Sequence, residues 1–181
     1  RQGHDVSVYT MNPDGQYDTR EVIRGVEVHR PMGIDITNVF PLMMTEELRQ
    51  WGDFFNDIFV YNLLSATKFV NQQLGREKEE FDIVCVHDWL SAIAGLAIKN
   101  STKLPVVAHL HSTEWGRRPN DGSPIVRALE WELGWQADRV ITVSDAMKED
   151  LTRHNWPSGK ISVVWNGVDP EVYSPERVSA K

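Results

Sequence analysis

The sequence is poor in cysteine, in basic charge and in long apolar runs, and each shortage excludes something. One cysteine, Cys85, leaves no internal disulfide to form, so the chain reads as a protein of a reducing compartment, the cytoplasm. Cys85 sits in the run Phe81-Asp82-Ile83-Val84-Cys85-Val86, which predicts a buried, unreactive core thiol. Lysine and arginine number 19 against 26 aspartates and glutamates. With no basic cluster, a nucleic-acid or anionic-membrane partner is not expected, because a phosphate field rewards grouped cations. No stretch approaches the roughly 20 apolar residues of a transmembrane segment. Repeats and low-complexity tracts are missing as well.

What is present is ordinary globular chemistry. With 181 residues and 41% hydrophobic composition, the chain can bury about 70% of its unfolded surface without a covalent or metal staple. Residues 4–10 read as a strand ended by the turn Asn12-Pro13-Asp14-Gly15, and residues 26–30 as a second strand between Gly25 and Pro31. Leu48, Trp51, Phe55, Ile58, Phe59, Phe69, Val70 and Leu74 recur at helical intervals and predict a helix over about 45–74. Residues 81–86 are apolar enough for a strand covered on both faces. Asp88 is placed to cap a helix through Leu90, Ile93, Ala94 and Ala97.

The alternation continues with a strand at 106–110 and a polar loop at 111–122. Ser123-Pro124 then opens a helix through Leu129, Trp131 and Leu133. A strand at 140–143, a helix capped by Ser144 and a last strand at 161–165 complete the series. This order predicts an α/β fold: a Rossmann-like, doubly wound parallel sheet with helices on both faces. Arg1-Gln2-Gly3-His4 reads as the last turn of a helix with Gly3 as its cap. The expectation is therefore a sheet of order 3-2-1-4-5-6 that lacks its central first strand and the glycine-rich turn after it. Residues 1–166 are expected to form the domain, and residues 167–181, with two prolines, an inter-domain linker.

Ligands of open α/β sheets bind beyond the C-terminal ends of the strands. Those ends read His87-Asp88-Trp89, His109-Leu110-His111-Ser112-Thr113-Glu114, Ser144 and Asn166-Gly167. Asp88 and Ser144 each have a second reading as helix caps, and Asn166-Gly167 as a plain turn. His109 is expected as a hydrogen-bonded core histidine, and His29 and His154 as surface residues. Trp51, Trp131 and Trp135 lie at helical spacing and predict helix packing. Trp89 and Trp115 flank the crevice, where a ring stacks on a sugar face or packs in the core. The loop at 114–118 is either solvated or a lid with Gly116 as hinge.

At these residues the sequence resembles the N-terminal domain of retaining GT-B glycosyltransferases of the glycogen and starch synthase group. Arg1-Gln2-Gly3-His4-Asp5-Val6 resembles that family's helix-to-strand passage, and Gly25-Val26-Glu27-Val28-His29-Arg30 its next strand. His87-Asp88-Trp89 is similar to its His-Asp-Trp signature, and His111-Ser112-Thr113-Glu114-Trp115-Gly116-Arg117 to its second histidine loop. Val143-Ser144 and Asn166-Gly167-Val168-Asp169 are similar to its closing motifs. The resemblance implies hexosyl transfer from an ADP- or UDP-hexose type nucleotide-sugar to a sugar, glucan or other hydroxyl acceptor, with retention, no cofactor and no bound metal.

It implies His111 and Asp88 as the catalytic pair, His111 at the donor sugar and Asp88 beside the acceptor hydroxyl. His87, Trp89, Glu114, Ser144 and Asn166 are implied as substrate-binding. It also implies that most donor contacts come from a C-terminal domain outside residues 1–181. Leu90 stands where many glycogen synthases carry a further histidine, which opens the acceptor to sugars or lipids other than glucan. Three other readings compete. His87, Asp88, His109 and His111 include the ligand types of a metal-dependent hydrolase. The same fold also serves non-catalytic sugar- or nucleotide-binding domains and epimerases.

Overall fold

A computed structural model describes residues 3–34, 36, 53–170 and 173. Strands β1 (Ser7–Tyr9), β2 (Arg20–Ile23) and β3 (Val26–His29) form a three-stranded sheet of order β1-β3-β2. β1 runs parallel to β3, while β2 folds back on β3 as an antiparallel hairpin. Arg24 and Gly25 turn that hairpin with φ of 52° and 82°, the left-handed pair that a two-residue turn requires. Strand β2 was not expected, since the turn offers one glycine where two residues need positive φ.

The second sheet is four-stranded and wholly parallel. It runs β4 (Val84–His87), β5 (Val106–Leu110), β6 (Arg139–Thr142), β7 (Ile161–Val163). This is the α/β architecture expected from the alternation of elements. Among the described residues no strand joins β1 to β4, so the break between the sheets falls where the 3-2-1-4 order has its first strand. The two sheets share a core: Tyr9 and Val84 pack with Ala66, Phe69, Ala94 and Ile98.

Helix α1 (Asp53–Thr67) continues into wider π-helical turns over Lys68–Glu77. It ends at Lys78, whose φ of 57° allows its N–H to reach Gln73 O. Leu48, Trp51 and the expected start of this helix lie outside the described residues, as do Arg1, Gln2 and most of the expected linker. The remaining helices are α2 (Ala92–Ser101), α3 (Glu114–Arg117), α4 (Pro124–Gln136) and α5 (Asp145–Arg153).

Because strand side chains alternate between faces, one face of the parallel sheet carries Val86, Val106, Ala108, Leu110, Val140 and Ile161. This face packs on Ala92 of α2, Leu133 of α4, Leu151 of α5 and Trp156. Packing is close enough to require glycine. A Cβ on Gly95 would lie 2.3 Å from Val86 Cγ2, and one on Gly134 2.1 Å from the Trp156 ring.

The opposite face differs from expectation. Cys85, His87 and Ser162 there are exposed, so β4 is covered on one face by the described residues, and Cys85 is not a core thiol. Two further expectations are corrected. His29 is fully buried, stacked on Tyr9 with ring centroids 4.7 Å apart. Trp131 and Trp135 are 43% and 45% exposed, because the buried face of α4 is taken by Val126, Glu130, Leu133 and Gly134.

Candidate active site at the strand ends

The site is built where β4 and β5 end. Parallel register pairs His87 with His109, and the two chains then turn out of the sheet at Asp88 and His111. Asp88 adopts φ 52°, a conformation that costs a non-glycine residue on the order of 1 kcal/mol or more. Its N–H donates to His109 O at 3.1 Å. Its Oδ1 accepts from the backbone N–H of His111 at 2.7 Å and of Ser112 at 3.3 Å. The side chain expected to cap the following helix is thus turned across to the neighbouring strand's loop, and makes no cap bond.

The helix behind Asp88 is held from elsewhere. Buried Asn62 of α1 accepts from Ala94 N through Oδ1 at 2.7 Å. Its Nδ2 donates to Ile58 O at 2.7 Å and Leu90 O at 2.8 Å. Ser91 Oγ accepts from His87 N at 3.0 Å and donates to His87 O at 2.8 Å, fixing the strand end.

Three imidazoles gather over this frame. His87 Nδ1 lies 3.1 Å from His111 Nε2, with the rings 12° from parallel. The His109 ring centroid is 4.4 Å from that of His111 and 5.1 Å from that of His87. Burial, followed by repulsion from neighbouring imidazoles, lowers the pKa of both His87 and His109. They are therefore kept neutral, able to donate from one ring nitrogen and accept at the other. His109 is not the hydrogen-bonded core residue expected: its Nε2 is buried without a hydrogen-bond partner among the described residues. Cys85 Sγ lies 3.7 Å from His87 Nε2 on the same face.

In the loop after β5, Thr113 and Glu114 are buried while Gly116, Arg117 and Arg118 are exposed. Thr113 Oγ1 accepts from Gly116 N at 3.2 Å and caps the short helix α3. Glu114 is 3% exposed. Its Oε1 accepts from Ser123 N at 2.8 Å, and its Oε2 from Arg117 Nη2 at 3.1 Å. Beneath it, buried Glu130 accepts the Glu114 N–H at 2.9 Å and pairs with Arg117 at 3.2 Å. Burial pushes the Glu130 carboxyl up to about 7. Trp115 is held between the His154 ring, 4.3 Å away, and the Arg127 guanidinium, 3.6 Å from its centroid.

The fold therefore brings His87, Asp88 and His111 together. It places Trp89 in the core, 6% exposed, against Phe55, Ile58 and Val126. Ser144 accepts from Met147 N at 3.2 Å and caps α5, while Asn166 is exposed beyond the end of β7. Sequence reasoning missed Asn62 and Glu130. Their one signal was a polar residue inside an apolar helical stripe, Asn62 beside Ile58 and Ala66, Glu130 beside Val126 and Leu133.

Among known proteins, an uncharacterized glycosyltransferase of Methanocaldococcus jannaschii is 29% identical over 176 residues, covering 94% of this chain and 39% of that protein. A glycogen synthase of Mycobacterium tuberculosis is 26% identical over 92% of this chain and 41% of its own length. A D-inositol 3-phosphate glycosyltransferase of Nocardiopsis dassonvillei is 32% identical over 65% of this chain and 28% of its own. Among solved structures, sucrose-phosphate synthase from Thermosynechococcus elongatus superposes with a TM-score of 0.68 at 14% identity, over 96% of this chain and 41% of that one. At that identity the likeness shows the fold, GT-B, and the chain spans about two fifths of the first two relatives. The model of Glycosyltransferase Family 4 matches residues 1–172, and the chain belongs to that family.

Proposed function

We propose that the intact protein is a retaining hexosyltransferase and that this chain is its acceptor-side domain. The observation that carries the reading is the Asp88 carboxylate bound to the His111 backbone at 2.7 Å. It makes one rigid unit of the two strand-end motifs that resemble the family's signatures. Sugar transfer passes through an oxocarbenium-like state, stabilised by dipoles and anions and harmed by added positive charge. His111 donates to the donor sugar near its hydroxymethyl group, backed by the neutral imidazole of His87. Asp88 stands beside the acceptor hydroxyl. Asn166 and the Ser144 end of α5 line the cleft, while buried Trp89 and Glu114 support the loops from behind.

The donor is a nucleotide-activated hexose of the ADP or UDP type, bound mainly by a domain outside residues 1–181. The acceptor is a sugar, glucan or other hydroxyl compound. The names of the relatives, a glycogen synthase and a D-inositol 3-phosphate glycosyltransferase, support both assignments at the level of class. One cysteine and an acidic balance suit a cytoplasmic enzyme. Among the described residues no helix is long and apolar enough to cross a membrane.

The test is a donor–acceptor screen on the intact protein, scored by product mass, with the product's anomeric configuration read by NMR. His111→Ala is expected to cut transfer by orders of magnitude with an unchanged circular-dichroism spectrum. Near-normal transfer by that variant would overturn the site.

A further inference from the structure

We propose that Cys85, His87 and His109 form a binding site for a thiophilic divalent cation of the Zn2+ type on the face of the four-stranded sheet that carries Cys85 and His87. Cys85 and His109 have no part in the sugar-transfer reading, while His87 belongs to both, facing His111 through Nδ1 and Cys85 through Nε2. The site also differs from the ligand set anticipated for a metal-dependent hydrolase, in which Asp88 and His111 took part. In the folded chain Asp88 Oδ1 is occupied by two backbone N–H groups, and the sulfur of Cys85 joins the cluster.

Two features of the sheet assemble the ligands. Period-two alternation puts Cys85 and His87 on one face of β4, and the parallel register sets His109 of β5 directly beside His87. One sulfur and two imidazole nitrogens then lie within 4.8 Å of one another. A tetrahedral Zn2+ with bonds of about 2.0–2.3 Å holds its ligand atoms roughly 3.5 Å apart. The Cys85 Sγ to His87 Nε2 distance, 3.7 Å, is already close to that value.

Two further details favour a cation. His87 Nδ1 faces His111 Nε2 at 3.1 Å. A proton on Nδ1 shared with His111 turns the Nε2 lone pair toward Cys85, and such an outer hydrogen bond orients and strengthens an imidazole ligand. His109 Nε2 is buried with no partner among the described residues, an unusual state for a buried polar atom that a nearby cation would relieve. Mixed sulfur and imidazole ligation selects Zn2+, Co2+ or copper over Mg2+ and Ca2+. On binding, the Cys85 thiol proton leaves to solvent and the thiolate bonds the metal. The fourth position stays open to water.

Co2+ serves as the optical probe. Titrated into the reduced protein at neutral pH, it should give a 1:1 complex with a near-ultraviolet sulfur-to-cobalt charge-transfer band. Cys85→Ser should abolish that band. His109→Gln should weaken binding at least about tenfold, the effect expected when a group of a metal site is removed. Amide circular dichroism before metal addition reports whether each variant has folded. The unsubstituted protein gives an independent readout, because Cys85 is its single cysteine: saturating Zn2+ should slow alkylation of that thiol, followed by mass. Absence of the band, its survival in Cys85→Ser, or alkylation unchanged by Zn2+ would overturn the site.

Discussion

At the end of β6, Ser144 accepts a hydrogen bond from Met147 N, three residues further on. At the end of β4, Asp88 ignores the amides that follow it and reaches His111 and Ser112, 23 and 24 residues away. Both positions are polar residues between a parallel strand and a helix, and both qualify as caps. The difference lies in what stands beside them. Asp88 is carried at φ 52°, which turns its carboxylate toward the neighbouring strand, and α2 has a substitute in Asn62. Ser144, extended at φ −158°, has the ordinary cap geometry and performs the ordinary task. A carboxylate released from capping by a residue on another helix is free to organise a site, and a capping serine is already occupied.

This comparison can be broken at its supports, starting with the largest effect. Asn62→Ala removes three hydrogen bonds, two of them buried, among them the one that Ala94 N donates. It should cost roughly 3–4 kcal/mol, read as a lower denaturant midpoint. A cost near zero would show that α2 does not depend on the borrowed cap.

Glu130→Gln tests the floor beneath the β5 loop. The Glu130 carboxyl is raised by burial to about 7 from an ordinary 4.5. Between those values the folded state keeps a proton that the unfolded chain has lost, so stability falls as pH rises through this window. Relative to Glu130→Gln, the unsubstituted protein should lose on the order of 3 kcal/mol between pH 4.5 and pH 8. Parallel stability curves for the two proteins would contradict the protonated carboxyl.

The smallest effects sharpen the contrast as a matched pair. Ser144→Ala should cost about 1 kcal/mol and speed hydrogen exchange in the first turn of α5. Asp88→Ala should instead speed exchange at His111 and Ser112 and leave the first turn of α2 protected. Faster exchange at the start of α2 would restore Asp88 to the role of a cap.

Much of the architecture was legible because its signals are local. Strands β4 to β7 announce themselves as short apolar runs, and Ser123 and Ser144 cap helices through bonds spanning three residues. That the strand-end histidines and Asp88 come together was legible because a parallel sheet presents its C-terminal ends side by side. Less legible was which partner each would choose. Trp89 and Glu114 sit within the same motifs, yet one lies in the core and the other under Arg117 and Ser123. His29 looked like a surface residue and is buried, because the Tyr9 ring stacks on it and Gln73, from the turns after α1, comes within 3.2 Å of its ring. Strand β2 has little apolar character of its own, and exists by pairing with β3 across a turn in which Arg24 takes a conformation glycine usually supplies.

The sequence by itself determined the order of strands and helices, the local caps and the set of polar residues delivered to the strand ends. These follow from periodicity and short-range hydrogen bonding, whose partners are close along the chain. Tertiary structure decided that Asp88 grips the His111 loop, that Asn62 holds α2 and that one sheet face sets Cys85 beside two imidazoles. Those outcomes depend on strand register and on the approach of distant helices, which come from burial summed over the whole core and not from any one segment.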